Sequence, residues 1–491
     1  MDHTYFPLVL RPGTHCRSAR LLVGALLLAL PTTGACVHYQ PKPISPPATL
    51  ASIEARALDS ADLGQFLEAN HQVTAWPPAA WNLQSLTLTA FYYHPDLDQA
   101  RAAWATARAA GVTAGERPNP TVSFAPGYNS TTPASEMTPW ILTLDLDFTI
   151  ETAGKREHRL AQARQLSESA RLNIATVAWQ VRSRVRRALL DVHAATATAA
   201  LLTRQEQIQT DNLTLLDRQL AAGAISPFER AQARLVLDSI RLAFHDAARQ
   251  QAEARVHLAA AVGVTVHALD GVALSFDVFS RTPPEMPDSG ARRLALLNRP
   301  DILGLLAEYE SRQAALQLEI ARQYPDLHLG PGYQMDQAAN KWTLGLAGLL
   351  PVFSRNRGPI AEAEARRAET AAAFVSVQSR AIEEIDSGLA GYRAALAKVS
   401  TADALRTDLL EQEQRGQAQL RAGAISRLDL GSLQLERATA DLAHLDALVR
   451  AHQALGSLED ALQVPTDSGE WLQAPPRQEP SAGTGPARKA P

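Results

Sequence analysis

Few residues in this sequence are placed to do chemistry. Thirteen histidines are scattered over 491 residues. They form no His-Glu-x-x-His pair and no pair at ligand spacing beside Asp or Glu, and there is no glycine-rich phosphate loop. His193 and His245 fall inside helical patterns, where a solvated or core imidazole is the ordinary reading. No catalytic set, metal site or cofactor is expected. Of the two cysteines, Cys16 and Cys36, one has a chemical setting. Arg11, Arg17 and Arg20 precede or open an apolar run, Leu21 to Leu30, which leads into Pro31-Thr32-Thr33-Gly34-Ala35-Cys36. That order is an export signal over residues 1–36, with an apolar run too short for a permanent membrane span. The small pair Gly34-Ala35 suits lipid attachment to the Cys36 thiol, although Thr33 stands where such signals usually carry Leu. A stray cysteine beside an ordinary cleavage point is the alternative. Either way, the mature chain can form no internal disulfide.

The remaining chemistry is recognition, and it occurs twice. Ala222-Gly223-Ala224-Ile225-Ser226 recurs as Ala422-Gly423-Ala424-Ile425-Ser426, an offset of 200. A Gly that stops one helix and a Ser that starts the next make the tip of a helical hairpin. Three residues beyond each Ser stands a carboxylate, Glu229 and Asp429. Acidic groups in a first helical turn are favoured by the helix dipole whatever the function. The sharper reading joins them to Arg230 or nearby tip residues in a polar network that holds this end closed.

The elements that carry these tips form a duplicated unit. Residues 37–82 begin Pro-rich, turn weakly helical, and read as an extended N-terminal linker or equatorial segment. The first repeat, 83–288, opens with a helix interrupted at His94-Pro95-Asp96. It continues with strands at about 121–128 and 140–150, then a helix from Arg156 to Leu220 that spans about 95 Å at 1.5 Å per residue. The tip at 222–226 follows, and then a helix from Pro227 to Val262. The second repeat, 289–464, places strands at about 326–333 and 341–350, a long helix from Pro359 to Leu420, the tip at 422–426 and a last helix to Leu462. Residues 465–491 read as a disordered tail. Two short helices stacked end to end match one long helix, so six helices fill four columns of equal height.

The strands alternate. Trp140, Leu142, Leu144 and Leu146 share one face with Phe148 and Ile150, while Asp145 and Asp147 point the other way. Trp342, Leu344 and Leu346 repeat the apolar face. Trp140, Leu142, Leu144, Leu146, Trp342, Leu344 and Leu346 are read as membrane-facing, each set headed by a Trp suited to a lipid–water interface. Four strands cannot close a transmembrane barrel. Three chains supply twelve strands and twelve helical columns, which predicts a homotrimer with a 12-stranded β-barrel continuous with a long α-helical barrel. A small soluble sheet packed on the helices is the alternative. Aromatic residues make up 5% of the chain, too few for several large globular cores, and the net charge of -4 gives no bias toward nucleic acid.

The Pro-Asp helix starts (95–96, 300–301), the Pro-Asn-Pro and Tyr-Pro-Asp stretches (118–120, 324–326), both strand pairs and both tips resemble the TolC family of outer-membrane efflux proteins, over roughly 80–463. Two junctions, 151–156 and 350–358, look most like the subgroup serving cobalt-zinc-cadmium or copper-silver exporters. The resemblance implies a mainly α fold with a transmembrane β part, in the outer membrane with periplasmic helices. It also implies a passive exit duct for heavy-metal cations or drugs, which meets a periplasmic adaptor at Gly223–Ser226 and Gly423–Ser426 and an inner-membrane pump indirectly. A periplasmic coiled-coil adaptor or scaffold without a channel is the other reading. An adaptor, however, should have one hairpin between β-rich halves, and this chain has two. No residue set supports an enzyme.

Overall fold

The computed structural model describes residues 38–71, 76–131, 138–283, 289–336 and 339–465. The export signal with Cys36, and the tail from 466, lie outside the described residues. The chain divides into two compact units, residues 1–53 and 54–491. In the first, α1 (Pro46–Glu54), of which all but Glu54 lie in that unit, has no buried residue. In the second, α2 (Ala61–His71) corrects the reading of 37–82 as an extended linker. Leu63 and Leu67, one turn apart, are fully buried and share a core with Leu58, Trp81 and Leu86. A stripe of two leucines is too short to register as a period beside four prolines.

From there the order is α3 (Leu83–Tyr93), α4 (Pro95–Gly115), β1 (Thr121–Tyr128), β2 (Trp140–Ile150), α5 (Lys155–Ala221) and α6 (Pro227–Val262). After a 3-10 turn at Val266–Leu269 the second repeat supplies α7 (Ser289–Asn298), α8 (Pro300–Ala321), β3 (Leu327–Asp336), β4 (Ala339–Gly348), α9 (Arg357–Arg421) and α10 (Arg427–Leu462). The starts are chemical. Asn82 and Ser85 form a reciprocal capping box on α3. Pro95 and Pro300 take first-turn positions, where a missing N–H costs nothing, and His94 Nδ1 accepts from Asp96 N at 3.2 Å.

Helix contacts place α5 against α4, α6, α8 and α10, and place α9 against α8 and α10. The short helices therefore stack: α4 with α6 on one flank of α5, and α8 with α10 between the two long helices. Each stack meets at a defined joint. Gly263 ends α6 at φ 85, and a Cβ there would lie 3.1 Å from Tyr93 O and from His94 Cα at the head of α4. Arg56 Nη1 donates to Gly263 O at 2.7 Å and to Tyr93 O at 2.9 Å. In the second repeat, buried Arg299 donates from Nη1 to Ala461 O at 2.8 Å and to Glu384 at 3.0 Å.

The sheet is antiparallel in the order β1-β2-β3-β4, so the second repeat's hairpin continues the first. The strands at 326–333 and 341–350 are corrected to 327–336 and 339–348. Asp336 pairs with Ala339, so both strands run further that way. At the other end β4 stops where Gly348 meets Leu327, the first residue of β3.

Near the joints a buried polar seam crosses from α5 to α10. Glu459, 2% exposed, receives Arg182 at 3.1 Å and Arg186 at 3.3 Å. Arg186 also donates to His452 O at 2.9 Å and lies across Gly456, where any Cβ would strike its guanidinium. His452 is 2% exposed, and its Nε2 is 2.9 Å from Arg281 O. Burial, with Arg186 and His193 nearby, pushes its pKa from 6.5 to about 4 despite the carbonyls of Arg281 and Phe279. Because the folded pKa lies below the unfolded one, the unfolded chain takes up the proton first. The contribution is intact above pH 6.5 and is lost as pH falls through about 4. Thermal melts between pH 7.5 and 4.5 should show wild type losing up to about 3 kcal/mol more than His452→Gln. Equal slopes would mean that His452 is not the titrating group.

Candidate functional site

Both tips are built by the same hydrogen bonds. Ala224 N donates to Gln219 O at 2.8 Å and Gly223 N to Leu220 O at 2.9 Å. At the second tip Ala424 N reaches Gln419 O at 2.9 Å and Gly423 N reaches Leu420 O at 3.0 Å. This Schellman pattern needs a left-handed residue after the helix, and Gly223 and Gly423 sit at φ 72 and 75. A Cβ at either would meet no neighbour within 4 Å, so space does not demand glycine there; the backbone conformation does. Ala224, Ala424, Ser226 and Ser426 are exposed, while Ile225 and Ile425 turn partly inward. At the second tip Ile425, Leu430 and Leu433 converge over Gly416.

Glu229 and Asp429 are placed as helix caps. Ser226 Oγ is 3.3 Å from Glu229 N and donates to Glu229 Oε1 at 3.1 Å. Ser426 N and Oγ donate to Asp429 Oδ2 at 2.9 and 2.8 Å, and Asp429 N donates back to Ser426 Oγ at 3.1 Å. Those bonds, from the backbone N–H and then the hydroxyl, hold the Asp429 carboxyl below its ordinary pKa. Arg230 pairs with Asp217 at 2.8 Å, not with Glu229. Within one chain, therefore, these carboxylates act locally.

The hairpins behind the tips differ. Leu213 and Leu237 are buried in the first. Glu413 and Arg437 take the same positions in the second, joined by an ion pair. Burial raises the Glu413 pKa, but hydrogen bonds from Arg437, Gln434 and Gln417 outweigh it and hold the carboxylate charged. Sequence reasoning missed this pair, because charges in a helical pattern read as solvent faces. It also missed Phe228, 68% exposed beside the first tip. An aromatic one position after a helix-opening Pro could have flagged it.

At the other end, register places one apolar surface across all four strands. Phe124 faces Leu144, which faces Tyr333, which faces Trp342; Leu142 faces Met335, and Leu329 faces Leu346. Trp342, Leu344 and Leu346 are 81, 72 and 72% exposed. Near the hairpin turns Tyr128 meets Trp140 at 5.2 Å and Tyr333 meets Trp342 at 4.8 Å. The opposite face is polar and narrow-sided: Asp145 and Thr343 occupy the space a Cβ at Gly332 would need, and His328 Nδ1 lies 3.0 Å from Asp147. The outer edges of β1 and β4 are unpaired.

A mid-height cavity of about 660 Å³ is lined by Asp96, Trp179, Ser183, Arg184, Glu384 and Asp460. Its charges are already paired: Arg184 with Asp96 at 2.6 Å, Glu384 with Arg299 at 3.0 Å, and Asp460 with Trp179 and Ser183 at 3.0 and 2.6 Å. Among the described residues no group of three or more His, Cys, Asp or Glu could hold a metal ion, and no helix is long and apolar enough to cross a membrane.

The sequence matches the family described as "Outer membrane efflux protein" over residues 90–264 and 291–463. It is 27% identical over 330 residues to the cobalt-zinc-cadmium resistance protein CzcC of Cupriavidus metallidurans, covering 65% of this chain and 76% of that one. Its fold is similar to crystal structures of CusC (TM-score 0.65, 18% identity, 78% of this chain and 92% of that) and of VceC from Vibrio cholerae (0.63, 20%, 77% and 95%). It is also similar to the open state of the MtrE outer membrane channel of Neisseria gonorrhoeae (0.65, 17%, 78% and 89%).

Proposed function

We propose, from the premise that this chain belongs to the outer membrane efflux protein family, how it works within that family and what passes through it. It is an outer-membrane efflux channel of the metal-resistance subgroup, with its helices in the periplasm. Three copies close twelve strands into a barrel, and their helices continue it as a tube. The observation that carries this reading is the sheet. Its apolar face is exposed and both its edges are open. A lone chain in water would leave unpaired backbone groups along two edges, and inside a bilayer such groups cost several kcal/mol each. Closure with lipid outside meets both demands. Leu142, Leu144, Leu146, Leu344 and Leu346 then face lipid, Trp140 and Trp342 sit at its interface, and the Asp145–Asp147 face lines the lumen.

The duct is passive and catalyses nothing. An inner-membrane pump supplies the energy through a periplasmic adaptor that docks on Gly223–Ser226 and Gly423–Ser426, where small exposed residues admit a close helix approach. The cargo is a heavy-metal cation, a reading supported by the likeness to a cobalt-zinc-cadmium resistance protein. No gating role is assigned to Glu229 or Asp429 beyond their capping bonds. Cys36 carries the lipid of the mature N-terminus, and the mass of that N-terminus tests this: an unmodified end beyond residue 36 rules it out.

Two substitutions separate barrel from tip. Leu144→Arg near the bilayer midplane should cost about 2–4 kcal/mol and lower trimer yield; a normal yield would mean that this face does not meet lipid. Gly223→Trp with Gly423→Trp forces left-handed backbone on a bulky residue, about 1–2 kcal/mol per site, small against two helices of more than sixty residues. Trimers should persist in outer membranes while metal resistance and cross-linking to the adaptor are lost. Normal export with adaptor still bound would reduce the tips to turns.

A further inference from the structure

The two repeats are equivalent residue by residue through the sheet. Tyr128 opposite Trp140 in the first hairpin corresponds to Tyr333 opposite Trp342 in the second. The equivalence continues below the strands, where the left-handed residue before each long helix is Gly154 in one and Asn356 in the other. Ile150 therefore corresponds to Val352 and Phe148 to Leu350. Likewise Leu327, Leu329 and Tyr333 correspond to Val122, Phe124 and Tyr128.

Inside the chain, β2 runs on past the start of β1. Its last residues, Phe148 and Ile150, pair only with β3, opposite Leu329 and Leu327. In the second repeat the corresponding residues have no such neighbour. β4 ends at Gly348, where β3 begins. Beyond it Leu349, Leu350, Val352 and Phe353 are 76, 79, 75 and 103% exposed, and Val352 N turns back to Leu350 O at 2.8 Å. The start of β1, Thr121 to Pro126, is equally exposed.

We propose that residues 349–352 are the unfinished end of β4, completed by β1 of a second copy of this chain in the register of the β2–β3 pair: Val352 opposite Val122, Leu350 opposite Phe124 and Leu346 opposite Tyr128. This rests on the trimeric reading above and specifies its seam. These three pairs put apolar side chains on the same face as Leu344 and Trp342. A slip of one residue would turn one strand's apolar set into the polar face. The Val352–Leu350 turn is replaced by pairing to the neighbour.

The junction beneath the strands carries the same correspondence. Within the chain, Lys155 Nζ donates to Tyr324 O and Asp326 Oδ1, both at 2.7 Å, and Thr152 Oγ1 donates to Pro325 O at 2.7 Å. At the seam Arg357 and Ser354 take the places of Lys155 and Thr152, and Asn119 and Pro120 of the second copy offer the carbonyls. Thr121 stands where Asp326 would be, so the seam keeps the carbonyl contacts and lacks the ion pair.

The test is cysteine cross-linking of the full-length protein in outer membranes. β1 and β4 are opposite edges of one sheet, about 14 Å apart at three strand spacings, so a short bifunctional thiol reagent joining them must join two chains. Leu350→Cys with Phe124→Cys should give covalently linked chains several-fold more efficiently than Leu350→Cys with Val122→Cys or Pro126→Cys, against a background with Cys36 alone. Trimers that cross-link best through a slipped pair, or through none, overturn the register while leaving the trimer standing. Recovery of native-sized monomers removes the assembly itself. Independently, Thr121→Asp should raise the temperature at which trimers fall apart, and Arg357→Gln should cancel the rise. An unchanged temperature would separate Arg357 from Thr121 and remove the junction half of the proposal.

Discussion

A helix that ends inside a bundle leaves carbonyls without partners, and the stacking of short helices against long ones places such ends at mid-height. Everything above and below depends on those joints being closed. Gly263 closes the first with a left-handed turn, and Gln463 takes the same conformation at the second, φ 53. Arg56 and Arg299 then supply donors to the terminal carbonyls Gly263 O and Ala461 O. The negative end of α6 also abuts the positive end of α4, so the dipoles of the stacked helices run head to tail. Burial of Arg299 works against its charge, but Asp301 and Glu384 more than compensate and leave its pKa raised.

Much of this fold could be read from residue order. The offset repeat, the prolines at 95, 227 and 300, and the eleven-residue alternation at 140–150 are local signals, and each element appears where its signal lies. The joints, the polar seam and the Glu413–Arg437 pair were not legible, because they are made of charges. Lys155, Arg186, Arg299, Glu413 and Glu459 are all buried. In sequence each reads as a solvent position, and what reveals otherwise is a partner far along the chain: Asp326 for Lys155, Glu384 for Arg299, Arg437 for Glu413, and Glu459 for Arg186. Leu166 shows the converse: it fits the apolar period of α5 yet is 42% exposed. The tips were legible as turns, but the role of Glu229 and Asp429 was set by bonds to the serines three residues earlier, which spacing alone left open.

The repeats share a backbone and diverge in what fills it. Leu213 and Leu237 in one hairpin are buried apolar side chains, indifferent to pH and salt. Glu413 with Arg437 in the other exchanges that for a buried ion pair, which contributes little net stability while its geometry is intact and is costly to break on one side. At Gly431 any Cβ would collide with the side-chain amide of Asn212 on the neighbouring long helix. At this level the second hairpin has a directional bond where the first has two buried leucines.

Pro465, Asn82, Gln84 and Ser275 line one cavity of about 510 Å³. The residue just past the second repeat, the start of the first repeat and the segment between the two therefore lie together. Each repeat leaves and returns to the same level, so its own ends nearly touch. A gene encoding one such unit can be copied head to tail with no connection longer than the one already present between 263 and 288. By the same geometry the order of the repeats is arbitrary. A chain cut in that connecting segment and rejoined by a linker from 465 to the segment ahead of α2, which keeps Arg56, Leu63 and Leu67 in place, would trace the same path in space from a different first residue, a circular permutation of one protein.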